Sequence, residues 1–165
     1  MPDFIGFYRL RMLFLGLAVK LSPPNPVISY QEILNPGITL MNKDGQNKPQ
    51  ALIIDDETDI CYLLKGILKY KNIDSAYATS ITEGQLLLQE YHPAIIFLDN
   101  HLPDGFGIDH IRYLKQGHPF SKIVMITAHD TSSDREKAYR EGVDYFIGKP
   151  FTRDIIIKTL EKIIL

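Results

Sequence analysis

An α/β fold of the doubly wound type, five parallel strands in one sheet with helices on both faces, is predicted by three features of this 165-residue sequence. From residue 50 onward, short apolar runs alternate with segments of helical period. Two of those runs, AIIFL and KIVMI, are almost wholly apolar, as strands covered on both faces must be. The strand-helix unit recurs five times, and right-handed crossovers then require a parallel sheet.

The first strand is expected at 51–54. A helix follows, because Ile60, Leu63, Leu64, Ile67 and Leu68 fall at i, i+3, i+4, i+7 and i+8 and make one apolar stripe. A second strand at 74–78 leads to a helix announced by Ser80 and Glu83, the spacing of a capping box. The third strand, 94–98, precedes a helix over 106–115. The fourth, 122–126, precedes a helix over 132–141 that ends at Gly142, a residue suited to a left-handed cap. This helix has few large apolar residues beyond Ala138 and Tyr139, which predicts weak anchoring. The fifth strand, 144–147, leads to a last helix that starts near Thr152 and buries Ile156, Leu160, Ile163 and Ile164.

Residues 1–48 differ in character. They hold five of the ten prolines, and the stretch SPPNPVISYQEILNPG has no sustained period. The expected division is an N-terminal extension over 1–48, poorly ordered or an over-long assigned start, and a domain over 49–165. A tether to a membrane or partner is the alternative for the extension. RLRMLFLGLAV, residues 9–19, has the outline of a signal peptide without a clear A-x-A site, and no run of 18 apolar residues suggests a membrane-spanning helix.

Composition narrows the chemistry. The 45% hydrophobic and 23% charged residues suit a packed domain, and the net charge of -2 offers no footprint for a phosphate backbone, so direct nucleic-acid binding is not expected. Cys61 is alone, which excludes an intramolecular disulfide and a multi-thiolate zinc site and points to a reducing, cytoplasmic location.

Ligands of doubly wound sheets bind outside the carboxyl ends of the strands. At those ends stand Asp55 and Asp56, Asp99, Thr127, and Lys149 followed by Pro150. Carboxylates about 4 Å apart repel by roughly 4 kcal/mol at an effective dielectric near 20, so their pKa values rise or a cation enters. Oxygen donors in a half-open crevice suit Mg2+ better than Ca2+. A metal held by carboxylates beside a Lys and a Thr is equipment for phosphoryl transfer, in which an Asp can serve as nucleophile. Asp55 or Asp56 could each be a plain helix cap, but one cap needs one residue. Glu57 and Asp59 read as first-turn acids of the helix that follows.

The four stretches IIDDE, IIFLDNHLPDGFG, VMITAH and DYFIGKPF, in this order, resemble a response-regulator receiver domain of two-component signalling over all of 49–165. The spacings agree: 28 residues from Asp99 to Thr127 and 22 from Thr127 to Lys149. The resemblance implies a flavodoxin-like sheet of order 2-1-3-4-5. It implies Asp99 as phosphoacceptor, and Asp55, Asp56, Asp99 and the backbone carbonyl of His101 as ligands of Mg2+, for which Mn2+ could substitute. It further implies Lys149 and Thr127 on the phosphoryl group, Ala128 leaving room for the donor, a cis Lys149–Pro150 bond, and Phe146 as a rotamer switch.

Asn100 departs from the family pattern, which has an apolar residue there. His101 and His129, two residues past Asp99 and Thr127, stand where side chains flank the phosphoryl group, and as imidazoles they are candidates for tuning its lifetime near neutral pH. The expected partners are a sensor histidine kinase or a histidine phosphotransfer protein, an unidentified downstream protein, and a second copy in a homodimer. The surface of the fourth helix, fifth strand and fifth helix is the expected output. The sequence ends one helix after Lys149, giving the expectation of a stand-alone receiver that is not an enzyme. Two other classes share part of this equipment. A haloacid-dehalogenase-type phosphatase carries its nucleophile after the first strand as D-x-D, but Glu57 follows Asp55 by two. A receiver-like module that is never phosphorylated would not need the full acceptor set.

Overall fold

The computed structural model describes residues 50–90, 92–128 and 130–164. Expectations for residues 1–48 and for His129 lie outside them. In chain order the elements are β1 (Gln50–Ile54), α1 (Thr58–Tyr70), β2 (Asp74–Ala78), α2 (Ile81–Glu90), β3 (Ile95–Asp99), β4 (His101–Leu102), β5 (Gly105–Phe106), α3 (Gly107–Gly117), β6 (Lys122–Thr127), α4 (Ser132–Glu141), β7 (Tyr145–Gly148) and α5 (Arg153–Ile164).

Five strands form one sheet in the order β2-β1-β3-β6-β7, every neighbouring pair parallel. Counted over these five alone, the order is 2-1-3-4-5, the flavodoxin-like arrangement. Alternation along the strands sends side chains to two cores. Ala51, Ile53, Ile95, Phe97, Val124 and Ile126 pack on one face with Cys61, Leu64 and Leu68 of α1 and Ile156 and Leu160 of α5. Leu52, Ile54, Ile96, Leu98, Ile123 and Met125 pack on the other with Ile81 and Leu88 of α2, Ile111 and Leu114 of α3, and Ala138 of α4. Burial on both sides explains why β1 and β3 read as unbroken apolar runs. Each fully buried Leu or Ile contributes about 1.5–3 kcal/mol, so α4, with Ala138 as its buried residue, is the least anchored helix by packing.

Several expectations need correction. Leu63 is 48% exposed, because the buried face of α1 is set by Cys61, Leu64, Ile67 and Leu68 and Leu63 lies a 100° step away from Leu64. Ile164 is exposed for the same reason, one step round from buried Ile163. Tyr139 is half exposed and does not anchor α4. Ser80 does accept the Glu83 N–H at 3.1 Å, but the Glu83 carboxylate turns to the N–H and hydroxyl of Thr79, so the box is not reciprocal. A reciprocal box does occur at α4, between Thr131 and Asp134, and Gly142 closes that helix at φ 109°.

Asp99 and Thr127 are the last residues of their strands rather than the first beyond them, paired with Ile126 and Gly148. The antiparallel hairpin of β4 and β5 has no signal in the apolar pattern, and it moves the start of α3 from Phe106 to Gly107.

Away from the strand ends, Asp144 accepts from the Ile123 N–H at 2.8 Å, from Lys122 at 3.1 Å and from Lys115. Burial pushes its carboxyl up, but these donors outweigh burial and hold the pKa below the ordinary 3.8. A depressed folded pKa means stability that is full above the unfolded value and lost as pH falls through the folded one. Asp144→Asn should therefore lower the melting temperature at pH 7 and flatten its fall between pH 4 and the acid limit; an acid limb identical to wild type would count against this linkage.

Candidate functional site

Each candidate side chain stands at a strand end or just past one. Asp55 follows β1 directly, and its N–H bonds Ala78 O at 3.1 Å, which pins the loop to the neighbouring strand. Lys149 follows β7, its N–H on Thr127 O at 2.8 Å, and the Lys149–Pro150 bond is cis. One carboxylate oxygen from each of Asp55, Asp56 and Asp99 lies within 4.8 Å of the others. Asp55 is 2% and Asp99 5% exposed, whereas Asp56 faces solvent.

Lys149 Nζ stands among these acids, 2.9 Å from Asp55 Oδ2, 3.3 Å from Asp99 Oδ1 and 2.8 Å from Glu57 Oε1. The structure thus corrects the reading of Glu57, which is the N-cap residue of α1 and also a partner of Lys149. The surplus acid after β1 was the available signal, but no local pattern joins residues 57 and 149. Burial raises the Asp55 pKa above 3.8, and the bonds from Lys149 and the Glu57 N–H only moderate it. Burial acts to lower the pKa of Lys149, yet Glu57, Asp55 and Asp99 together hold it well above the ordinary 10.5. One ammonium therefore serves three acids, and the pocket is short of positive charge. An all-oxygen donor set with one exposed carboxylate fits a hard divalent cation that keeps waters, as Mg2+ does.

The loop from Asp99 to Gly107 is closely built. Asp99 Oδ2 accepts from the His101 N–H at 2.9 Å. Asn100 accepts from the Gly107 N–H through its carbonyl oxygen at 2.9 Å and from the Ile108 N–H through Oδ1 at 3.1 Å, so it caps α3. That capping role accounts for a polar residue where the family pattern is apolar. Any Cβ on Gly107 would overlap the Asp99 carbonyl oxygen and come within 3.0 Å of Leu98 Cγ. The exposed His101 ring meets Phe106 edge to face at 5.4 Å.

Beside this loop, buried Thr127 and Phe146 line a cavity of about 200 Å³ together with Asn100, Ile108 and Met125. The Arg135 guanidinium lies 4.8 Å from the Phe146 ring centroid and pairs with Asp130. Ala128, the next residue after Thr127, is exposed. Cys61 is buried in the first core, donates to Asp55 O at 3.2 Å, and has its thiol pushed up to about 11 chiefly by burial, so it is not a nucleophile here.

A sequence model of the response regulator receiver domain matches residues 51–161. The chain belongs to the response regulator receiver domain family.

Receiver domains are signalling modules of two-component systems, and the relatives agree with that assignment. This receiver domain is 35% identical over 104 residues to the response regulator protein PilR of Pseudomonas aeruginosa, covering 63% of this chain and 23% of that protein. It is 34% identical over 114 residues to the transcriptional regulatory protein CitB of Klebsiella pneumoniae, covering 68% and 49% respectively. The chain thus spans half or less of the length of these relatives. Among solved structures it resembles a two-component response regulator from Clostridium difficile, with a TM-score of 0.68, 27% identity, and coverage of 70% of this chain and 95% of that one. It is also similar to NtrX from Brucella abortus, with a TM-score of 0.66, 29% identity, and coverage of 71% and 27%. No helix among the described residues is long and apolar enough to cross a membrane.

Proposed function

We propose that this receiver domain accepts a phosphoryl group on Asp99 from a phosphohistidine of a sensor kinase or phosphotransfer protein, in the cytoplasm. The observation that carries the reading is the gathering of Asp55, Asp56 and Asp99 within 4.8 Å, with Lys149 Nζ on two of them. A carboxylate oxygen of Asp99 attacks phosphorus, the P–N bond to the donor histidine breaks, and the imidazole leaves with the bonding pair. Asp55, Asp56, Asp99 and the His101 carbonyl would hold Mg2+, which neutralises charge on the phosphoryl oxygens.

Lys149 has a further task, since it can exchange its bond to exposed Glu57 for one to the new phosphoryl oxygens. Thr127, whose carbonyl accepts from the Lys149 N–H, would offer its hydroxyl to the phosphoryl group, and exposed Ala128 after it would leave space for the donor. Once Asp99 is modified, new partners for Thr127 and Lys149 bias the positions of Phe146 and α4, whose surface with β7 and α5 then addresses a protein target.

Incubation with acetyl phosphate or phosphoramidate and Mg2+ tests this by intact mass. One added phosphoryl group is expected, absent in Asp99→Ala and absent with chelator. Persistent labelling of Asp99→Ala, or donor hydrolysis without any labelled protein, would overturn the assignment.

A further inference from the structure

The hairpin of β4 and β5 carries His101, yet it is only two residue pairs long, His101 with Phe106 and Leu102 with Gly105. A hairpin of this size is marginal alone and takes its position from what it touches. Leu102 supplies a buried side chain on one side. At the turn, Asp104 reaches the start of α2. Its Oδ1 accepts from the Ile81 N–H at 2.9 Å, and its Oδ2 accepts from the Thr82 N–H and the Thr82 hydroxyl, both at 2.8 Å.

Those two amides belong to the first turn of a helix, where donors have no partner within the helix. Ser80 takes the Glu83 N–H and leaves them to Asp104, more than twenty residues further along the chain. A carboxylate is favoured at that helix end by the peptide dipoles as well. Slight burial works to raise the pKa of Asp104, and the bonds from Thr82 and Ile81 overcome it and hold the carboxyl below its ordinary value. The Asp104 bonds therefore join two loops that have no covalent or ladder connection, and one of them carries the backbone of His101.

We propose that Asp104 is a positioning residue for the cation site, clamping the β4–β5 hairpin to the N-terminus of α2 so that the His101 backbone is held beside Asp99 before any ligand arrives. The inference rests on the reading of Asp55, Asp56, Asp99 and the His101 carbonyl as the Mg2+ site. Groups behind metal ligands commonly set affinity by about 10- to 100-fold through orientation alone.

Isothermal titration with Mg2+ alone tests it on the full chain. Asp104→Ala should weaken Mg2+ by about tenfold, and Asp104→Asn, which keeps one acceptor oxygen, should fall between that and wild type. Thr82→Val removes one of the three bonds and should weaken binding less, in the same direction. Ser80→Ala is the control: it uncaps the same helix without touching the hairpin, so it should lower the melting temperature and leave Mg2+ affinity unchanged. Hydrogen exchange should speed up in Asp104→Ala at the amides of 81 and 82 and, with them, across 101–106.

Wild-type affinity in a folded Asp104→Ala, or an equal loss in Ser80→Ala, overturns the clamp while the cation site stands. A wild-type chain that takes up no Mg2+ overturns the site itself. If Asp104→Ala does not fold, Asp104→Asn and Thr82→Val decide by the same criterion.

Discussion

Lys149→Met is expected to be less stable than wild type in metal-free buffer by about 3 kcal/mol, because it leaves Asp55 and Asp99 buried without their cation. The methylene stem is retained, so lost packing is a minor contribution. Mg2+ should return much of the loss, and it should raise the melting temperature of the variant more than that of wild type, since the ammonium no longer competes for Asp55 Oδ2 and Asp99 Oδ1. Thermal melts of both proteins in EDTA and in Mg2+ measure this. Equal stability in EDTA would mean that the ion pairs contribute nothing net, and equal shifts on adding Mg2+ would mean that ammonium and metal do not share these oxygens.

Gly107→Ala should lose at least about 3 kcal/mol in urea unfolding, since a methyl group there overlaps the Asp99 carbonyl oxygen and presses on Leu98, both inside the strand ladder. Relief would require α3 to withdraw from β3 and break the Asn100 cap. If Asp99 is the phosphoacceptor proposed above, its labelling should fall in whatever folded fraction remains. Gly66→Ala is the informative contrast: nothing lies within 4 Å of its added carbon, it sits in mid-α1, and it should gain up to about 1 kcal/mol from helix propensity. If both substitutions behave alike, close approach at Gly107 is not what selects glycine there.

The sheet and its flanking helices were legible because their signals are local. β1 and β3 announce themselves by four or five consecutive buried residues, and Gly142 marks the end of α4 by a conformation that glycine adopts readily. That Asp55, Asp56, Asp99 and Lys149 come together was legible because a parallel sheet gathers all its carboxyl ends on one edge. What could not be read are contacts that depend on how separate loops fold over that edge. Glu57 on Lys149 and Asp104 on α2 are short polar links between distant segments, and neither has a period or spacing to betray it. Leu63 and Ile164 failed in another way: the stripe was right, but its width is decided by the neighbouring surface, which covers Leu64 and Ile163 and stops one step short.

The construction of α4 has a mechanical consequence. It is secured by pins at its two ends, the Thr131–Asp134 box and the left-handed turn at Gly142, by ion pairs of Glu141 and Lys137 to Arg112 and Asp109 of α3, and along its length by one buried side chain, Ala138. A rod held in that manner can swing or roll without tearing apart a packed layer, so redirecting it calls for far less work than moving α1 or α5. Arg135 on this rod touches the Phe146 ring and Asp130, a few residues past Thr127, which ties the rod by a short lever to the end of β6.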